Sequence, residues 1–242
     1  MNLVISKSQI KSSVRSVVSK SQILSNIYFE RQVPIKIHGT LRVGSNYLKK
    51  LLEINYEGQI IKPNEFGWKH GKIKYSPHFK YIVISRSPLS WVNSFWNWEK
   101  IHERTCSNSL YDFLSSDVTH PQLKSEWNAI NPIDAWNKTY EAYADYLDLD
   151  NVVFIRYEDL ISDFARTIEY LGSNISLTSK VDRFINYYKR ADDWKKPNPQ
   201  QKMDVNYYKS KKYLAELDEQ SVAFMQDKFN SKLIKKMGYS LL

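Results

Sequence analysis

The chain has 242 residues, 42% hydrophobic and 25% charged, which suits one sizeable domain and excludes a disordered or low-complexity chain. A single cysteine, Cys106, excludes an intrachain disulfide framework and a multi-cysteine zinc site, and points to a reducing, cytoplasmic compartment. The formal net charge of +9 calls for an anionic partner: nucleic acid, acidic membrane, a polyanionic glycan or a phosphorylated small molecule.

Residues 1–32 read as a basic helical segment. Lys7, Lys11, Arg15 and Lys20 come before any acid, and Ile10, Val14, Val17 and Leu24 fall near one helical face. A helix docked on the domain, a targeting segment and a helix lying on anionic membrane all suit this composition. No secretory apolar region stands near the start, and the longest apolar strand-like run, Tyr81-Ile82-Val83-Ile84, is far too short to span a bilayer.

Residues 33–242 are expected to form one domain. Val33 to His38 predicts a strand, Gly39 to Ser45 a turn, and Asn46 to Ile54 a helix with Tyr47, Leu48, Leu51 and Leu52 on one face. Phe79 to Ser85 predicts a second strand, and Pro88 opens a helix that runs to about Ile101. Helices are expected over 108–116 and 131–147, while 102–130 otherwise breaks the rhythm. Asn151 to Arg156 predicts a third strand, followed by a helix from about Asp159 to Leu171 that Gly172 ends. The last third is helical and basic. Repeated strand–helix units with apolar strands predict an α/β fold, a three-layer sandwich with a central parallel sheet. Ligands of such folds bind at the carboxyl ends of the strands, so the turns after the first two strands are where a site belongs.

Two constellations lie there, and a third lies between the two strands. Gly39-Thr40-Leu41-Arg42-Val43-Gly44-Ser45-Asn46 joins a strand to a helix, as a P-loop-like phosphate-binding turn does. The lysine that a nucleoside-triphosphate loop carries after its second glycine is absent, and the cation sits earlier, at Arg42. Arg86 ends the second strand with Ser94 eight residues on, a guanidinium and a hydroxyl that can meet on one phosphate. Phe66-Gly67-Trp68-Lys69-His70-Gly71-Lys72 places a histidine between lysines and glycines, which reads as an exposed basic loop or as a general base kept neutral by its neighbours.

Together these residues resemble the sulfotransferases that use 3′-phosphoadenosine 5′-phosphosulfate. Leu41-Arg42-Val43-Gly44-Ser45-Asn46-Tyr47 stands where that family has P-K-S-G-T-T-W or R-S-G-T-N-Y. Arg86-Ser87-Pro88 with Ser94 matches its R-x-P and later serine. Arg156-Tyr157-Glu158-Asp159 with Leu171-Gly172 matches a strand ending in Y-E-D and a helix closing at L-G. The resemblance implies that Arg42, Val43, Gly44, Ser45, Asn46 and Tyr47 hold the 5′-phosphosulfate end. It implies that Arg86 and Ser94 hold the 3′-phosphate, with Tyr157 and a late lysine such as Lys209 completing the donor site. His70 is the implied base, with Glu65 the second choice and His38 the third, and Arg42 and Lys69 are the implied catalytic cations. The product is then 3′-phosphoadenosine 5′-phosphate, no metal is expected, and the acceptor is a hydroxyl, by preference on a glycan. Trp91, Phe95, Trp96, Trp98, Trp127 and Trp136 supply indole faces for sugar, although Trp91, Phe95 and Trp98 have the spacing of core positions.

Two other readings compete. A small-molecule or nucleotide kinase with a degenerate phosphate loop would need a Mg²⁺ carboxylate such as Glu158 or Asp159. A nucleic-acid-binding protein fits the charge but has no helix-turn-helix, zinc or aromatic RNA-binding signature, so no nucleic-acid partner is expected.

Overall fold

The computed structural model describes residues 34–186 and 205–241. The expected basic segment 1–32 and the whole stretch 187–204 lie outside the described residues.

Four parallel strands form the sheet: β1 (Pro34–His38), β2 (Gln59–Ile60), β3 (Lys80–Ser85) and β4 (Val152–Arg156). Their order is β2-β1-β3-β4, with Ile35 opposite Lys80 and Tyr81 opposite Val152. Around them run α1 (Ser45–Asn55), α2 (Pro88–Ile101), α3 (Leu110–Ser115), α4 (Pro121–Trp127), α5 (Pro132–Ala144), α6 (Tyr157–Ser162), α7 (Phe164–Asn174), α8 (Val205–Lys209), a 3₁₀ turn (Lys212–Glu216), α9 (Glu219–Lys228) and α10 (Ser231–Lys236).

The β-branched residues of β3 explain its place at the centre. Successive side chains point to opposite faces, and all five from Tyr81 to Ser85 are buried, so both faces are covered. The expected parallel α/β sandwich is what forms. The chain passes from β1 to β2 on one side and then crosses back to β3 on the other. The carboxyl ends of β1 and β3 therefore make the switch point of the sheet, where a crevice opens between diverging connections.

Local chemistry sets the helix starts. Ser109 and Asn131 accept hydrogen bonds from the backbone N–H of Asp112 and Asp134 at the starts of α3 and α5. Pro132 occupies the first turn of α5, as Pro88 does in α2.

Two expectations are corrected. The single helix over 159–171 is two helices, broken at Asp163, whose backbone leaves the helical region at φ −140° and ψ 68°. Gly172 does not end α7 but lies buried inside it, because a Cβ there would collide with the Tyr56 phenol, which donates to Ile168 O at 2.8 Å. Helix α4 also forms where no helix was expected, within 102–130. Pro121 opens it, and His120 Nδ1 accepts from Leu123 N at 3.4 Å in the capping role that Ser or Asp fills elsewhere.

Candidate active site

The turn after β1 enters the crevice in a constrained shape. Arg42 and Gly44 both have left-handed backbones, at φ 65° and 88°. At Gly44 two constraints coincide, since a Cβ would also enter the ring of Tyr157. Gly44 precedes α1, whose first turn carries no side-chain cap and no acid. Its first N–H groups and the positive end of the helix dipole are left to an anion. Val43 is fully buried, so only its backbone can serve a ligand, while Ser45 is buried and Asn46 exposed. Tyr47 packs inward and donates to Asn186 Oδ1 at 2.6 Å.

Arg86 leaves the end of β3 and is 7% exposed. Its Nε donates to Ser90 Oγ at 3.0 Å, one Nη to Arg42 O at 3.2 Å and the other to Tyr208 OH at 3.2 Å. The rings of Tyr157 and Tyr208 lie against it at 5.2 and 5.4 Å. All three hydrogen bonds end on neutral oxygens. A buried guanidinium so held keeps its full charge for an anionic ligand. Arg86 also couples the phosphate turn to the C-terminal segment, because Tyr208 belongs to α8. The serine bonded to Arg86 is Ser90, four residues on. Ser94 is half-buried one turn further along α2, and Lys209 is exposed at the end of α8.

The third constellation lies across the same turn. Gly39 N donates to Lys69 O at 3.2 Å, and His70 Nδ1 meets Gly39 O at 2.5 Å. A carbonyl only accepts, so the proton sits on Nδ1 and Nε2 is left as the basic nitrogen. Lys69 Nζ donates to Asn46 Oδ1, which puts an ammonium at the mouth of α1. Thus Lys69, from a distant loop, brings a lysine to the helix start where the phosphate turn itself has none.

Burial, not exposure, is the state of His70, contrary to one reading of its glycine- and lysine-rich surroundings. Desolvation first, and then the neighbouring Lys69 charge, push its pKa down to about 3, so the ring is neutral across physiological pH. Burial, with Lys49 and Lys36 nearby, lowers Lys69 to about 8. Glu65 is exposed and its carboxylate pairs with Lys62 at 3.3 Å, directed to solvent. His38 is fully buried against Tyr81 and Tyr143, with ring centroids 6.2 and 5.7 Å away.

Three of the tryptophans, Trp91, Trp127 and Trp136, are core. Trp91 donates to Leu41 O at 2.7 Å and stacks on Phe95 at 5.2 Å. Trp127 donates to His70 O at 2.9 Å, and Trp136 is fully buried. Trp68 and Trp98 are half-buried and stack on His120, at 6.1 and 5.5 Å. Trp68 meets His70 edge-on at 5.1 Å, while the guanidiniums of Arg42 and Arg104 lie 5.7 and 4.1 Å from the Trp98 ring centre. This aromatic and cationic wall runs from the phosphate turn to the segment before α4.

A sulfotransferase domain model matches residues 70–237, well over half of the chain. The chain belongs to the sulfotransferase domain family. The match starts at His70, so the phosphate turn precedes it. No curated protein matches the chain. Similar solved structures include a mouse sulfotransferase, SULT7A1, complexed with PAP. It is 14% identical with a TM-score of 0.44, over 60% of this chain and 59% of that one. A sulfotransferase from Alicyclobacillus acidocaldarius is 15% identical with a TM-score of 0.39, over 68% and 57%. The sulfotransferase domain from the curacin biosynthetic pathway is 15% identical with a TM-score of 0.39, over 68% and 55%. The chain thus spans somewhat more than half the length of each of these proteins.

The crevice gathers Arg42, Gly44, Asn46, Lys69, His70, Arg86 and Tyr157. It leaves Glu65 outside. Sequence reasoning missed Ser90 and Tyr208, the two side chains that orient Arg86. Ser90 had a local signal, since it lies four positions after Arg86 on the first turn of α2, which Pro88 opens. Tyr208 had none, because its contact spans 122 residues.

Proposed function

We propose that the domain transfers a sulfuryl group from 3′-phosphoadenosine 5′-phosphosulfate to an acceptor hydroxyl, with carbohydrate as the acceptor class. The observation that carries this reading is the hydrogen bonding of the Lys69–His70 pair to the phosphate turn itself, through Gly39 and Asn46. Base, cation and anion cradle are thereby one unit.

The residues fit a nucleotide that bears two separate anionic groups. The uncapped start of α1, with Arg42 and Lys69, suits the phosphosulfate end. Arg86, with Ser94 on the next turns of α2 and Lys209 nearby in sequence to Tyr208, suits the 3′-phosphate. His70 Nε2 takes the proton of the acceptor hydroxyl as its oxygen forms a bond to sulfur. The bond from sulfur to the bridging oxygen breaks, and Lys69 and Arg42 stabilise the charge left on the 5′-phosphate. A polyanionic donor next to Lys69 opposes the charge that depresses His70, and so raises the basicity of the ring when the proton must move. Trp68 and Trp98, beside His70, give the acceptor an aromatic wall with polar neighbours, a surface that suits the apolar face of a sugar.

A Mg²⁺-dependent kinase reading loses its best carboxylate. Glu158 accepts from Ser87 N at 3.0 Å, Ser90 Oγ at 3.2 Å and Tyr239 OH at 3.1 Å. The transfer reading is tested by His70→Ala with labelled donor and a panel of glycan and phenol acceptors. Nucleotide binding is retained and turnover falls about 10²–10⁴-fold. A fully active variant would remove His70 from the role, and transfer to phenols alone would overturn the carbohydrate assignment.

A further inference from the structure

Lys36 lies in the middle of β1, where a lysine is out of place. It is 1% exposed, on the strand face it shares with His38. Its ammonium is surrounded by main-chain carbonyls of one loop. Nζ donates to Lys62 O at 3.1 Å, Pro63 O at 3.2 Å, Glu65 O at 2.5 Å and Gly67 O at 2.8 Å. Burying an ammonium costs several kcal/mol unless its donors are satisfied, and here all three N–H groups are shared among four acceptors.

The caged loop leads directly into the candidate catalytic pair. Pro63 O, one of the four acceptors, also accepts from Lys69 N at 2.9 Å. Lys69 O then accepts from Gly39 N, and the next residue, His70, closes on Gly39 O. Lys36 is thus one carbonyl away from the backbone of Lys69. Residues 62–67 form no regular helix or strand, and four of their carbonyls converge on one point. Without a cation there, those dipoles repel one another and the loop loses its anchor to β1.

We propose that Lys36 is a positioning residue for sulfuryl transfer: its buried ammonium ties the 62–67 loop to β1 and so fixes Lys69 and His70 against the phosphate turn. This rests on the transfer reading above, but the loop-anchoring half stands apart from it. Lys36 does not touch the α1 start or Arg86, so its loss reaches nucleotide affinity only through Lys69, while Arg42 and Arg86 keep their places.

The test compares wild type with Lys36→Met and with Lys36→Gln, which keeps two N–H donors but no charge. Three quantities are measured: PAP affinity by calorimetry, kcat with labelled donor, and amide hydrogen exchange over residues 62–72. Lys36→Met should lose about 10²-fold in kcat, as expected when reacting groups shift by about 1 Å, lose much less in PAP affinity because only Lys69 of the donor-binding cations moves, and exchange faster in that segment. Lys36→Gln should fall between. If Lys36→Met does not fold, Lys36→Gln decides on the same three readouts. Unchanged kcat and unchanged exchange would overturn the proposal, as would parallel loss of PAP affinity and kcat, the mark of a general structural role. Faster exchange in a protein whose wild type binds PAP but transfers nothing would instead leave the anchor standing and sink the transfer reading.

Discussion

At the scale of residues, the site is a set of cations held short of full neutralisation. Arg86 spends its hydrogen bonds on neutral oxygens. Lys69, lowered to about 8 by burial and by Lys49 and Lys36, keeps its proton at neutral pH and loses it as pH rises through that value. The sign of the consequence follows. A bound polyanion favours charged Lys69, so donor binding above about pH 8 takes up one proton and weakens with rising pH, by at most about tenfold per pH unit. His70, already neutral above about pH 3, adds no limb near the ordinary histidine value. PAP titrations from about pH 7, where the nucleotide's own phosphates are ionised, to about pH 10 should show flat affinity and then a decline, and Lys69→Met should lose the decline. A decline that Lys69→Met keeps would contradict the assignment of that limb to Lys69.

At the scale of elements, the phosphate turn is shaped by what packs beneath it. Tyr157 at the start of α6 fills the space that a side chain at position 44 would need, and the left-handed backbone there disfavours one anyway. Gly44→Ala should therefore cost about 1–3 kcal/mol of stability and weaken PAP binding, since Tyr157 also backs Arg86. Denaturant unfolding with and without PAP measures both, and an unchanged protein would show that the turn is not held this way. The element scale is also where the sequence was most and least legible. β1, β3 and β4 announce themselves by apolar, β-branched runs between turns. β2 is two residues at the sheet edge, too short for any period. α4 was hidden because a histidine ring, not a hydroxyl or carboxylate, caps it. Gly172 ended a helix on paper but not in the protein, because close approach of Tyr56, and not a left-handed turn, is what needs glycine there. Lys36 carried no signal beyond its place in the first strand, and only the return of residues 62–67 over β1 reveals its role.

At the scale of the whole molecule, the net charge of +9 that first suggested a general polyanion surface has a narrower meaning. Arg42, Lys69 and Arg86 arrive from three separate segments at the switch point of one parallel sheet, and the topology, not a run of basic sequence, brings them together. The motifs after β1 and β3 were legible because each is local. Their junction with the Lys69–His70 loop and with Tyr208 of α8 was not, because it depends on contacts across tens to more than a hundred residues. The family match shows a sulfotransferase domain over residues 70–237, and the central claim is that this crevice binds one nucleotide through Arg86. The most direct measurement is the thermal unfolding of wild type and Arg86→Ala at increasing PAP, without Mg²⁺. The account predicts a concentration-dependent rise in Tm for wild type that Arg86→Ala abolishes; no rise for wild type at millimolar PAP, or an equal rise in both proteins, would contradict it.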